Sequence, residues 1–341
     1  MKIVRLELGE YRPQLLTPCV GAWRYQKKLP LKVDTGTLRL IALGVGGAFS
    51  NKMFQSNFII VKGKNVLFVD LGSKATLKLA EFHLSAHDVK QLLITHSHAD
   101  HIGSLEELGL KRRYEAPFIE MPKREDESFG DYFGRMLQAR AEGRFRPTIF
   151  VPEHYEKQLW DWSLRGGLAF SEKTDLEEPK GEMLMEHYFK VEHPKKVNNL
   201  GDGRDCWDFI VPGETAEDDI HVTSFLTNHV PDTAADVGEA MYTTGFIIDK
   251  RVMVSGDTKF DRDLVEKFGA DCDHIFHDCQ HFPGGVHANY AQLKELSEDL
   301  KEKMYLYHLS DGMLEIDVIQ DGFAGLMESA PTAYDFAPLN S

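Results

Sequence analysis

The chain has 341 residues, of which 42% are hydrophobic, and a formal net charge of −15 at neutral pH. This length allows one large or two small domains with an ample core, and no apolar run is long enough to span a membrane. The acidic balance disfavours long DNA or RNA as a partner, because a polyanion is repelled unless a local basic patch overrides the field. The basic clusters Lys111–Arg113 and Lys195–Lys196 are short and lie among acidic residues, which is typical of solvated surface.

The N-terminal residues and the cysteines both bear on the cellular compartment. Residues 1–5 are followed by acidic side chains rather than by an apolar segment, so no secretory peptide is predicted. The four cysteines are scattered without a Cys-x-x-Cys spacing, which favours free thiols in a reduced compartment. They are Cys19, Cys206, Cys272 and Cys279. We therefore expect a cytoplasmic protein.

In chain order, the sequence is predicted to divide into four parts. Residues 1–37 form an N-terminal extension with little periodicity, which we interpret as a strand or arm for homodimer contacts. Residues 38–110 and 216–310 are rich in strand patterns. The glycine-rich run Gly44–Gly47 lacks the Gly-Lys-Ser/Thr of a nucleotide-binding loop, so it predicts a tight turn instead. Residues 311–341 form a C-terminal tail.

Residues 111–215 separate the two strand-rich stretches and are longer than a loop should be. They contain the helix-like stretches Asp131–Glu142 and His154–Arg165 and several aromatic residues. We interpret this segment as an inserted cap or substrate-recognition subdomain. Its aromatic residues are more typical of a core, although one stacking ring in a cap would suit a nucleobase.

The densest functional motif is His96-Ser97-His98-Ala99-Asp100-His101, which directly follows the apolar run 91–94. That run predicts a buried strand that ends at the motif. Side chains two apart on an extended segment point the same way, so His96 and His98 can bind one metal ion from one side. Asp100 and His101 fall in the following turn and can face a second ion. Imidazole and carboxylate together suit zinc, manganese or iron rather than calcium.

With these residues in view, the chain resembles the metallo-β-lactamase superfamily, whose signature is His-x-His-x-Asp-His. The other parts of the family pattern follow in family order: an Asp-x-Gly turn at Asp70, a lone histidine at His229, a Gly-Asp-Thr aspartate at Asp257 and a final histidine at His308. The resemblance implies an α/β fold, the four-layer αββα sandwich, with an inserted cap. Residues 38–110 and 216–310 would then form the catalytic domain, and 111–215 the cap.

The resemblance also implies two divalent metal ions, with zinc first and manganese or iron as alternatives. The implied ligands are His96, His98 and His229 for one ion, Asp100, His101 and His308 for the other, and Asp257 as a bridge. Asp70 would support the ligands by hydrogen bonds to the turn or to an imidazole. Two such ions lower the pKa of a shared water, and Asp100 would also orient the resulting hydroxide.

Between Asp257 and His308 the chain resembles the phosphodiesterase branch of this superfamily, which includes tRNA 3′-processing nucleases and cyclic-nucleotide phosphodiesterases. In those nucleases a His-Glu-Ala-Thr segment and then a catalytic histidine precede the last metal histidine. Here His277-Asp278-Cys279-Gln280 stands in place of that segment, and His287 opens a predicted helix over Ala288–Leu300. Asp for Glu, Cys-Gln for Ala-Thr and the lack of a Gly-Pro-rich arm depart from the tRNA enzymes.

The sequence therefore predicts a metal-dependent hydrolase that cleaves a small phosphodiester with a hydroxide activated by two metals. A cyclic nucleotide is the leading substrate. His287 is predicted to donate a proton to the departing alkoxide. His277 and Asp278 are predicted to support the metal ligands without binding the metal ions themselves. Two alternatives remain open, a tRNA 3′-processing-like endoribonuclease and a lactone or carboxyl-ester hydrolase of the same fold. No membrane partner is expected, and a homodimer is left open.

Overall fold

The computed structural model describes residues 1–7, 13–17, 22–25, 29–172, 181–197 and 204–338, and for 13–17 and 22–25 it describes the backbone alone. Within this part of the chain the strands are β1 (Lys2–Arg5), β2 (Pro13–Thr17), β3 (Ala22–Tyr25), β4 (Leu38–Gly44), β5 (Asn57–Lys62), β6 (Asn65–Val69), β7 (Gln91–Leu93), β8 (Thr148–Phe150), β9 (Lys190–Glu192), β10 (Lys195–Val197), β11 (Cys206–Val211), β12 (Ile220–Leu226), β13 (Thr244–Ile248), β14 (Val252–Val254), β15 (His274–Asp278), β16 (Met304–Tyr307), β17 (Gly325–Leu326) and β18 (Thr332–Phe336).

The α-helices of the same residues are α1 (Ala75–Glu81), α2 (Ala99–Ile102), α3 (Leu105–Tyr114), α4 (Ala116–Glu120), α5 (Phe129–Ala141), α6 (Glu153–Gln158), α7 (Arg165–Leu168), α8 (Arg262–Phe268), α9 (Tyr290–Leu293) and α10 (Glu298–Lys301). A π-helical segment, Leu159–Leu164, joins α6 to α7. Single 3-10 turns lie at Ala86–Asp88, Met185–His187, Ala216–Asp218, Asp311–Glu315 and Val318–Asp321. No helix in the described residues is long and apolar enough to cross a membrane.

Two large sheets organise the described residues. The first has the strand order β1-β18-β4-β5-β6-β7-β8-β9, and the second has the order β10-β11-β12-β13-β14-β15-β16-β17. Each sheet is antiparallel at one side and parallel at the other, from β6 to β9 in the first and from β14 to β17 in the second. Because the carboxyl ends of neighbouring parallel strands meet at one sheet edge, loops that follow them come together there.

The layering follows from strands that are buried on both faces. All six residues of β5 are buried. Phe58 and Ile60 belong to the core between the two sheets, whereas Ile59 and Val61 belong to a second core that includes residues of α1 and α3. Residues of α8 to α10 pack with the second sheet. Such double burial explains the near-continuous apolar character of these strands, and the predicted αββα sandwich is confirmed.

The inserted segment contributes to both sheets. Strands β8 and β9 extend the first sheet, and β10 and β11 extend the second. Helices α4 and α5 surround a separate small apolar cluster, made of Ala116, Met121, Ala139 and Phe145. The predicted helices at 131–142 and 154–165 are confirmed, the second with its π-helical segment. A recognition role for 111–215 stays a prediction. The helices of the segment, α4 to α7, lie outside the sheets.

Other sequence predictions have mixed outcomes. The single helix predicted over 288–300 is wrong in its continuity, because the structure has two short helices, α9 and α10. Ser297 takes an extended conformation between them, as serine commonly does where a helix begins. Cys206, Cys272 and Cys279 are buried, and Cys272 and Cys279 are free thiols, as expected. Cys19 lies outside the described residues, as do 8–12, 18, 20–21 and 26–28 of the predicted 1–37 extension. The tail contributes β17 and β18 to the sheets.

Candidate metal centre

The His-x-His-x-Asp-His motif lies at the carboxyl end of β7, where the first sheet meets the second. Helix α2 begins after His98, which has an extended backbone, and presents Asp100 and His101 from its first turn. The second sheet brings the other histidines and an aspartate to the same place, because β12, β14 and β16 each end shortly before one of them. Those three residues are His229, Asp257 and His308. All seven predicted ligands therefore converge from distant parts of the chain.

The first group of candidate ligands consists of His96, His98, His229 and Asp257. The Nδ1 atom of His98 lies 3.0 Å from Nε2 of His96 and 3.2 Å from Nε2 of His229. Oδ2 of Asp257 lies 3.8 Å from Nε2 of both His96 and His229. Four donor atoms of the two ligand types thus face one another around a common centre.

The second group consists of Asp100, His101, His308 and again Asp257. Oδ2 of Asp100 lies 3.5 Å from Nε2 of His101 and 3.3 Å from Nε2 of His308. Oδ2 of Asp257 lies 3.3 Å from each of the same two nitrogens. One carboxylate oxygen of Asp257 therefore belongs to both groups, which is the position of a bridging ligand.

The spacing and protonation of these groups fit divalent cations. Zinc–nitrogen bonds of about 2.0–2.1 Å in a tetrahedron place neighbouring ligand atoms about 3.4 Å apart, and the contacts in both groups lie close to this value. Burial lowers the pKa of His96 well below its usual range and that of His229 to about 4. Both imidazoles are therefore neutral near pH 7, which is the form that binds a metal.

The charge of Asp257 gives a further indication. Burial opposes its ionisation, yet the surrounding imidazoles, His308 before His101, hold its pKa well below the usual range. Among the described residues, Oδ1 of Asp257 and Nε2 of His101 are buried without a hydrogen-bond partner. Buried polar atoms without partners are rare in folded proteins. A bound cation at each group would satisfy such atoms, so the donor set fits a metal centre.

Hydrogen bonds to the ring nitrogen that faces away from the candidate metal orient several of these imidazoles. Nδ1 of His101 lies 2.7 Å from Oδ2 of Asp70. The same carboxylate accepts from the backbone nitrogen of Thr95 at 2.8 Å and from its hydroxyl at 2.6 Å. Nδ1 of His229 donates to the carbonyl oxygen of Val286 at 2.8 Å. Imidazoles that bind metal generally make such a contact through their other ring nitrogen, which fixes the tautomer and the ring orientation.

Unusual backbone conformations support the same centre. Asp70 and His308 are non-glycine residues with left-handed backbones, at φ 61° and 58°. Such conformations cost energy and persist where the surrounding structure enforces them, often at functional sites. Gly47, in the predicted tight turn, lies against His308, because a Cβ atom there would be 3.0 Å from the imidazole ring. The turn therefore packs directly on a candidate ligand.

His287 and Asp278 lie at the edge of the second group. Nδ1 of His287 is 2.8 Å from Oδ2 of Asp278, and its ring stacks on that of His308 with centroids 4.5 Å apart. Burial alone would lower the pKa of His287, but the contact with Asp278 outweighs it and raises the pKa to about 9. The structure does not bring His277 to the ligands. That residue alternates with Asp278 on β15, and its Nδ1 donates to the Asp278 carbonyl at 2.7 Å.

Two supporting residues were not predicted from the sequence. The Thr95 hydroxyl lies 3.1 Å from Nδ1 of His96 and so links that histidine to Asp70. The Tyr155 hydroxyl, on α6 of the inserted segment, lies 2.5 Å from the Ser97 hydroxyl between the two motif histidines. Thr95 directly precedes the motif, so its role could have been predicted from its place in the sequence. Nothing local in the sequence points to Tyr155.

Replacing Asp70 with asparagine should weaken metal binding about 10- to 100-fold, the usual cost of losing a hydrogen-bond partner behind a ligand. Asparagine tolerates the left-handed backbone but removes the charged acceptor from His101. Titration against a competing chelator would measure the affinity. The control is Glu214→Gln, in an exposed ion pair with Lys64. Equal metal affinity in both variants and the native chain would contradict this role of Asp70.

Solved structures establish the fold class. The metallo-β-lactamase fold protein YhfI from Bacillus subtilis matches with a TM-score of 0.55 and 13% identity, over 88% of this chain and 100% of that one. A diphosphatase from the PhnP family matches with a TM-score of 0.51 and 12% identity, over 88% of this chain and 98% of that one. The chain therefore has the metallo-β-lactamase fold, and its convergent histidine and aspartate residues form two groups that could hold metal ions.

The family model for the anti-Pycsar protein Apyc1 matches residues 38–123 and 133–332, which include every candidate site residue. A relative of that name from Bacillus phage vB_BsuM-Goe3 is 29% identical over 287 residues, covering 82% of this chain and 92% of the relative. Another, from Paenibacillus sp. (strain J14), is 27% identical over 281 residues, covering 81% and 91%. The chain belongs to the anti-Pycsar protein Apyc1 family.

Proposed function

We propose that this protein is a phosphodiesterase that uses two divalent metal ions, zinc first, to cleave a small phosphodiester. A cyclic nucleotide is the leading substrate, and the activity would serve the anti-Pycsar role for which the family is named. Three lines of support come from the site itself: the two ligand groups, the position of His287, and the size and charge of the surroundings.

The first line of support is the pair of ligand groups that share Asp257. His96, His98 and His229 would hold one ion, and Asp100, His101 and His308 would hold the other. When bound, two divalent cations activate water at neutral pH and neutralise charge that develops on the reacting phosphate. Asp100 would in addition accept a hydrogen bond from the attacking water and orient it. Asp70 and Thr95 keep His101 and the motif loop in place.

The position of His287 supports cleavage of a phosphodiester. Cleavage of an unactivated phosphodiester leaves an alkoxide that needs a proton at neutral pH, and an acid placed beside the ligand groups can supply that proton. The Asp278 carboxylate engages Nδ1 of His287, which leaves Nε2 as the nitrogen that can give a proton to the leaving oxygen. Stacking on His308 keeps the ring beside the ligands. His287 is therefore assigned as the general acid.

The surroundings favour a small substrate. His287 lines a cleft of about 530 Å³, which lies in the range of small-molecule sites. The net charge of −15 disfavours a long polyanion. A small anion is less affected by distant charges, because salt screens them within about 8–10 Å.

A substrate panel with metal control tests the proposal. We expect turnover of 2′,3′- or 3′,5′-cyclic nucleotides that is abolished by a strong chelator and restored by added Zn²⁺ or Mn²⁺. Cyclic dinucleotides, a tRNA precursor, a lactone and a thioester complete the panel. Elemental analysis should find about two transition-metal ions per unchelated chain. Turnover of the lactone or thioester without any phosphodiester would overturn the proposal, as would full activity in chains shown to be free of metal.

A further inference from the structure

The loop between His96 and His98 is held by a contact from outside the ligand groups. His98 has an extended backbone, and side chains alternate along an extended segment, so Ser97 points away from the side on which both histidines lie. There the Ser97 hydroxyl shares a hydrogen bond of 2.5 Å with the hydroxyl of Tyr155, which is the third residue of α6. A fixed Ser97 also fixes the directions of its two neighbours.

Tyr155 is itself held in one position by other rings. Its side chain is buried, and burial raises the pKa of its phenol above the usual range, so the hydroxyl keeps its proton at neutral pH. The ring stacks on that of Tyr242 with centroids 4.1 Å apart. Trp207 of β11 in turn lies edge-on to Tyr242, with centroids 6.1 Å apart. Packing among rings from three separate segments therefore fixes the phenol oxygen beside Ser97.

Tyr242 connects this arrangement to the third histidine of the first group. Two backbone hydrogen bonds, one on each side of Tyr242, join its stretch of chain to the stretch that carries His229. They run from the nitrogen of Met241 to the carbonyl of Val230, at 2.6 Å, and from the nitrogen of Thr227 to the carbonyl of Thr243, at 2.9 Å. The stacked tyrosines therefore contact both segments that supply histidines to the first group.

The second group of ligands is oriented by different contacts. Asp70 engages Nδ1 of His101 at 2.7 Å, and the turn at Gly47 packs against the ring of His308. Loss of a contact made by Tyr155 should therefore affect the ion of the first group more than the ion of the second.

We propose that Tyr155 is a positioning residue for the metal centre, which holds the three histidines of the first group in place and so sets the affinity for the ion bound there. This inference rests on the proposed two-metal function and assigns to the inserted segment a part in holding metal. Tyr155 acts through two intermediates, the Ser97 hydroxyl on one side and the ring of Tyr242 on the other.

Removal of one hydroxyl provides the test. Tyr155→Phe keeps the ring and its stack on Tyr242 but removes the hydrogen bond to Ser97. Loss of a hydrogen-bond partner behind a ligand costs about 10- to 100-fold in metal affinity, and this bond acts one residue away from the ligands. We therefore expect one Zn²⁺ site to weaken about tenfold and the other to keep its affinity. Titration of the metal-free chain with Zn²⁺ against a competing chelator would measure both sites.

Two further variants assign the effect to this hydrogen bond and to the first group. Ser97→Ala should give the same loss, and the double variant should lose no more than either single change, because all three remove the same hydrogen bond. In a His229→Ala background, which already lacks a ligand of the first group, Tyr155→Phe should not weaken the remaining site further.

The matched control is Tyr188→Phe. Tyr188 is also buried in the inserted segment, and its hydroxyl donates to the Leu168 carbonyl at 2.7 Å. Both tyrosine variants should lower the thermal midpoint of the metal-free chain, but only Tyr155→Phe should weaken a metal site. The same loss of affinity in Tyr188→Phe, an equal loss at both sites in Tyr155→Phe, or native affinity in Tyr155→Phe and Ser97→Ala would overturn the proposal. A native chain that binds no Zn²⁺ would instead refute the proposed function.

Discussion

Replacing Asp257 with asparagine should reduce phosphodiester turnover about 10³-fold or more, a larger loss than the 10- to 100-fold typical of residues behind a ligand. A single oxygen of this carboxylate lies within 3.3–3.8 Å of imidazole nitrogens in both ligand groups. The substitution keeps the shape of the side chain but removes the negative charge that both cations would share. Elemental analysis should show that the purified variant holds less metal than the native protein, and kcat measured with added metal gives the loss of turnover.

The matched control for Asp257 is a second buried carboxylate outside the ligand groups. Asp249 pairs with Lys62 at 2.8 Å, so Asp249→Asn also disturbs a buried charge. It should lower the thermal midpoint, because breaking a buried ion pair is destabilising, but it should not change the metal content. Native metal content and turnover in Asp257→Asn would contradict the bridging role. Loss of metal in both variants would point to general destabilisation.

Replacing His287 with alanine should slow cleavage of a cyclic nucleotide about 10²- to 10⁴-fold, the range that a positioned acid contributes. The same change should have little effect on an ester of p-nitrophenol, whose oxyanion departs without a proton. This difference follows from the geometry, since Asp278 occupies Nδ1 and leaves Nε2 for the leaving group. Single-turnover rates on the two substrates, measured at saturating metal, would provide the comparison.

Two further variants sharpen the His287 experiment. Asp278→Asn should reproduce the same leaving-group selectivity to a smaller degree, because it removes the carboxylate that orients the ring. His281→Ala removes a nearby exposed histidine that contacts Ser310 and should leave both substrates unaffected. If His287→Ala slowed both substrates equally, the residue would be holding the phosphate or the fold rather than donating a proton.

Much of the centre was predictable because its residues follow strands. His96 and His98 come after β7, and Asp257 and His308 come after β14 and β16. The ends of parallel strands share one edge of a sheet, so the loops after β14 and β16 are brought together within the second sheet. Apolar runs mark those strands in the sequence, and the resemblance to the metallo-β-lactamase superfamily implies the fold and the meeting of ligands from both sheets.

What the sequence left open depends on contacts between distant segments. The acceptor for His229 is the backbone carbonyl of Val286, and a carbonyl has no signature in a sequence. The pairing of Tyr155 with Ser97 depends on how α6 packs. Likewise, the sequence of residues 111–215 predicts two helices, but not that β8 to β11 join both sheets, because pairing partners are set by tertiary packing.

The division of the candidate ligands between the sheets has a consequence for folding. Four ligands come from the loop after β7 and the start of α2, and three come from loops of the second sheet, so neither half of the chain could assemble the centre alone. Bound ions would therefore act as a cross-link between two sheets that are distant in the sequence. A ligand that binds the native state alone stabilises it by about 4 kcal/mol at 1,000 times its Kd. The fraction of folded chains would then depend on the concentration of available metal ions. In a newly made chain, the ions could add this stabilisation only after both sheets had formed and brought the ligands together.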